Sequence, residues 1–82
     1  MLIWNYPSSL HLERIDPPRN AWRYYALSVG ENLFGETELV CEWGRIGTHG
    51  RVRRTPYPDR LSALSALISA AKAKGRRGYR PS

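Results

Sequence analysis

The run Trp43-Gly44-Arg45-Ile46-Gly47, followed by Arg51, Arg53 and Arg54, is the part of this sequence best suited to chemistry. An indole ring beside several guanidinium groups offers a flat surface for stacking together with charge-assisted hydrogen bonds to phosphate. Gly44, next to Trp43, lets a ligand backbone approach without a Cβ in the way. On pattern alone a second reading stands beside this one, in which Trp43 is core and the arginines form a solvated face.

Other chemistries lack the necessary groups. Only His11 and His49 offer imidazole bases, and no serine or cysteine sits in a nucleophile elbow, so no catalytic residues are assigned. Strand alternation is expected to scatter the carboxylates of the first half along solvent faces, away from acid and base work. Cys41, His11 and His49 lack metal-ligand spacing; no metal or cofactor is assigned, and Cys41 is expected to be a small buried hydrophobe. Gly44, Gly47 and Gly50 recur every third residue, but a basic strand follows them where a phosphate-binding loop needs a helix. Gly47-Thr48-His49-Gly50 spells a GxxG clamp, yet it joins two strands and reads as hairpin chemistry.

The elements that must position the cluster belong to a short chain. Its 82 residues, 41% of them apolar, allow one domain at most, and nine aromatic residues can anchor a thin core. A single cysteine excludes an internal disulfide. The start has no cation before Arg14, and its apolar stretch is broken by Asn5 and Pro7, unlike a secretory signal; the run Leu61 to Ala71 is too short to cross a bilayer. A cytoplasmic location away from membranes is the expectation, and nothing suggests a small-molecule substrate. Charge is divided unequally. Residues 1–42 carry three arginines against six carboxylates, whereas residues 43–82 carry ten cations against Asp59 alone. Such a field attracts polyanions, and arginine outnumbers lysine 11 to 2, which favours bidentate phosphate contact.

Alternation of Leu10 and Leu12 with His11 and Glu13 predicts a first strand, and Asp16-Pro17-Pro18-Arg19-Asn20 predicts a turn. Trp22 to Val29 reads as a second strand, with Arg23, Tyr25, Leu27 and Val29 on one side. The segment from Gly30 to Thr37 is expected to be a loop tucking Phe34 against the core. Glu38 to Ile46 and Arg51 to Tyr57 form the two arms of a hairpin, with Leu39, Cys41, Trp43 and Arg45 on one face of the first arm. Asp59 is expected to cap a helix whose apolar stripe comprises Leu61, Leu64, Leu67, Ile68 and Ala71, spanning about 120°. Gly75 is expected to end it in a left-handed cap before a basic tail, Arg76 to Ser82. Lys72, Lys74, Arg76 and Arg77 join the hairpin as candidate nucleic-acid contacts. Strands followed by one helix imply an α+β domain: a twisted antiparallel sheet of four to five strands with one α-helix packed on one face.

The tripeptide Trp43-Gly44-Arg45, with Leu33-Phe34-Gly35, Leu39-Val40, Ile46-Gly47, the prolines before the helix, the leucine-striped helix and Gly78-Tyr79, resembles the WGR domain family. The resemblance covers about residues 8–80 of a single domain spanning 1–82, with a short N-terminal segment and a basic tail, and is similar to small bacterial proteins made of little else. It implies a module like that of eukaryotic poly(ADP-ribose) polymerases, which binds DNA near a break. There the motif tryptophan packs on a terminal sugar, so Trp43 would meet ribose and Arg45 phosphate or a partner. The transferase domain of those enzymes has no counterpart here. The expectation is a non-enzymatic nucleic-acid-binding module, DNA favoured over RNA; the alternative is a protein-interaction module docking an acidic partner.

Overall fold

A computed structural model describes residues 8–82. Five strands, β1 (Ser9–Asp16), β2 (Ala21–Glu31), β3 (Thr37–Arg45), β4 (Arg51–Tyr57) and β5 (Arg80–Pro81), form one antiparallel sheet in the order β4-β3-β2-β1-β5. One helix, α1 (Arg60–Arg76), packs on it, so the fold is α+β as the element order implies. The final residues, read as a tail, supply the short edge strand β5.

Each connection has a local cause. Pro17–Arg19 forms a single 3₁₀ turn, closed by Asn20 in the left-handed region at φ 53°, where asparagine is better tolerated than most residues. Asp59 caps α1 by accepting the Ser62 amide at 2.7 Å, and this bond lowers its pKa below the usual carboxylate value. The pairing runs without a bulge from β1 through β4, so side chains alternate cleanly between two faces. Leu27, Val29, Leu39 and Cys41 meet Ala63 and Leu67 of α1 in the core. Among the described residues, no helix packs on the opposite face.

Four expectations are corrected. Phe34 does not tuck inward: it is 86% exposed and Leu33 fully so, because Asn32 folds the loop on itself and points both outward. Of the expected helical stripe, Leu64, Leu67, Ile68 and Ala71 pack in or against the core, but Leu61 is 77% exposed. The helix instead centres on Ala63 and Leu67, whose small or fully enclosed side chains bring it close to the sheet; at 100° per residue Leu61 lies about 120–160° away from them. The helix passes Gly75 and ends at Arg76, and the left-handed glycine is Gly78, at φ 96°. Finally, the carboxylates are not all on solvent faces: Glu38 is buried and takes Arg54 at 2.7 Å.

Candidate nucleic-acid interface

The register assembles a cationic, aromatic surface at one end of the helix-covered face. Across β1, β2 and β3, Arg14 stands opposite Arg23, and Arg23 opposite Arg45. The next row on the same face is Leu12, Tyr25, Trp43 and Arg51, and Arg53 lies one row further along β4. With adjacent strands about 4.8 Å apart, like charges directly opposite one another disfavour the sheet. Among the described residues the ion pairs are Arg19 with Asp16 and Arg54 with Glu38, so none of the five arginines of this surface is neutralised by a carboxylate.

Trp43 is half-buried. One flank packs against the core, and its ring stacks on Tyr25 with centroids 6.1 Å apart, while the Arg53 guanidinium lies 6.0 Å from its centre. Tyr79 meets Tyr25 edge-on. Lys74 comes from α1, on the same helical line as Leu67, and holds its ammonium 4.4 Å from the Tyr25 ring and 5.5 Å from Tyr79. Tyr25, Trp43, Arg53 and Lys74 line a cleft of about 220 Å³. Burial, and then the charges of Arg77 and Arg23, lower the Lys74 pKa. The ring faces favour the ammonium and oppose that shift. Burial, followed by a hydrogen bond to Cys41, pushes the Tyr25 phenol up to about 12, so it stays neutral at any physiological pH.

The hairpin is set by two glycines. A Cβ on Gly44 would stand 2.8 Å from the Gly50 Cα, and one on Gly50 would collide with the Trp43 carbonyl. The space left by Gly44 is therefore filled by Gly50, and the two arms close tightly. From the opposite face, the Tyr24 hydroxyl accepts the Gly50 amide at 3.0 Å and donates to Glu42 at 2.9 Å, pinning the turn. Gly47, at φ 89°, completes it.

Of the sequence-derived candidates, Trp43, Arg45, Arg51, Arg53 and Lys74 share this surface, and Arg77 adjoins it through its charge contact with Lys74. Arg54 does not: it occupies the other face, closed onto Glu38. Lys72 and Arg76 are exposed at helical angles pointing away from the sheet. Arg14, Arg23, Tyr25 and Tyr79 belong to the surface and are absent from the sequence-derived set. Strand parity already grouped Arg23 with Tyr25 and Arg45 with Trp43; only the register places these pairs side by side.

The fold is thus a small α+β domain that presents an aromatic hairpin beside an arginine row with no carboxylate partner among the described residues. The chain belongs to the WGR domain family, whose profile matches residues 8–82. It is 41% identical over 80 residues to the uncharacterized protein y4dW of Sinorhizobium fredii. That alignment covers 98% of this chain and spans 39% of the length of the relative. No solved structure matches the chain.

Proposed function

We propose that this protein is a non-enzymatic nucleic-acid-binding module, DNA ahead of RNA, that holds the sugar-phosphate backbone on the helix-covered face of its sheet. The row Arg14, Arg23, Arg45 carries the reading: three like charges in register with no carboxylate partner cost the free protein stability, a cost that a bound polyanion relieves. Arg51, Arg53 and Lys74 extend the row. Trp43 and Tyr25 offer a stacking surface beside it, in keeping with the sugar contact that the family's motif makes in poly(ADP-ribose) polymerases. Backbone contacts of this kind give weak sequence preference.

The test is a binding titration against blunt, nicked, single-stranded and closed circular DNA across salt concentrations. With four to six phosphates neutralised, log affinity falls against log salt with a slope between about −3.6 and −5.4 on duplex DNA. A salt-insensitive complex, or binding to an acidic protein but to no nucleic acid, refutes the reading. Trp43→Phe keeps the packed flank, so a loss of preference for strand ends in that variant reports on contact and not on folding.

A further inference from the structure

The far end of the molecule has the opposite character. The β2–β3 loop exposes Leu33 completely and Phe34 by 86%. It is rigid in construction: Asn32 Oδ1 accepts the amides of Phe34 at 2.9 Å and Glu36 at 3.0 Å, Asn32 N donates to the Glu36 carbonyl at 2.9 Å, and its side-chain amide reaches Glu36 Oε1 at 2.9 Å. Two large apolar side chains carried on a hydrogen-bonded backbone form a docking element, because little backbone entropy remains to be lost when they are covered. The start of α1, with Leu61 exposed, follows β4 at this same end, since Thr37 pairs with Tyr57. Exposed Glu31 and Glu36 flank the tip in the chain, and Glu38, with its partner Arg54, lines the concavity beside Leu33 and Phe34.

We propose that the Leu33-Phe34 tip docks head to tail into the aromatic cleft of a second copy of this chain. Charge complementarity selects that occupant: the tip is apolar and carries the exposed carboxylates of Glu31 and Glu36, with Arg54 beside it already paired to Glu38, and the cleft of Tyr25 and Trp43 is rimmed by Arg53 and Lys74 with no carboxylate partner among the described residues. The tip can cover only a few side chains, well short of the roughly 800 Å² per partner of a stable interface, so the contact is weak and reversible. The two patches differ, so the contact is heterologous and propagates from copy to copy, into rings or open chains according to its rotation. That a polyanion displaces the tip rests on the reading of the cleft as a nucleic-acid site; self-docking itself does not.

Sedimentation velocity over a concentration series at low salt tests the proposal. The average mass of the wild type rises with concentration, and Phe34→Asp weakens association at least about tenfold. Arg53→Glu, at the other end, does the same. An equimolar mixture of the two variants restores a one-to-one complex, since each supplies the patch the other lacks. A wild type that stays monomeric throughout, association unchanged by Phe34→Asp, or a mixture that stays monomeric overturns it. Oligonucleotide binding by Phe34→Asp is measured separately and stays within twofold of wild type; its absence in both proteins defeats the nucleic-acid reading and leaves self-docking standing.

Discussion

Arg53 and Arg54 are consecutive residues of one strand, yet the sheet gives them different work. Arg54 points to the bare face, where Glu38 receives it at 2.7 Å, and the carboxylate is buried while the guanidinium stays 63% exposed. Arg53 points to the helix-covered face, beside Trp43, in a field made by Arg23, Arg45, Arg51 and Lys74. On one face the carboxylates of Glu42 and Glu38 find partners within the chain, a hydrogen bond from Tyr24 and an ion pair with Arg54. On the other it is left open. Arginine content alone therefore says little about binding; what counts is whether the fold supplies the counter-charge.

Several substitutions would break or sharpen this contrast. The largest effect is expected from replacing Arg14, Arg23 and Arg45 together by threonine, which preserves strand preference and should lower the magnitude of the salt slope by about 2.7, measured on duplex DNA. An unchanged slope would mean that the row faces solvent and nothing else. Next comes the adjacent pair. Arg53→Ala should lower the magnitude of the slope by about 0.9 and leave folding nearly intact, whereas Arg54→Ala should leave the slope in place and cost about 1–2 kcal/mol in urea unfolding, because Glu38 loses its partner. Equal behaviour of the two variants in both assays would erase the distinction between the faces.

A smaller effect concerns protons. Binding of a polyanion removes the repulsion that Arg77 and Arg23 exert on Lys74, so its pKa should rise on complex formation, seen by NMR of the lysine side chain. The sign follows: the complex takes up protons, and affinity falls as pH climbs through the Lys74 titration. In the free protein, the lowered pKa means that stability contributed by this group rises with pH between its folded value and the ordinary lysine value of 10.5. The smallest effect is on the free fold. Arg23→Thr alone should raise stability by up to about 0.5 kcal/mol while weakening nucleic-acid binding, since it removes the middle charge of a like-charged row. Destabilisation by that substitution would show that the row is held together by something other than an external anion.

The hairpin carrying Trp43 was legible because glycines at 44, 47 and 50 and prolines at 56 and 58 punctuate it, and the Asp59 cap because its chemistry is local. Leu61 and Phe34 were misplaced for a shared reason: each is large and apolar, but burial depends on whether another element lies above it. Leu64, Leu67, Ile68 and Ala71 of the expected stripe do pack in or against the core; Ala63 lies outside that stripe because alanines carry little weight in a hydrophobic pattern, although it is fully buried where α1 meets the sheet.

The sequence by itself determined the first four strands, the hairpin, the helix start, the excess of arginine and the membership of a family, since these depend on residue type and on spacings of a few positions. The tertiary structure decided which arginines are open, which aromatic flank remains accessible, and that Arg14, Arg23 and Arg45 form one row. Those outcomes depend on register between strands far apart in the chain, where a shift of one residue turns every side chain to the other face.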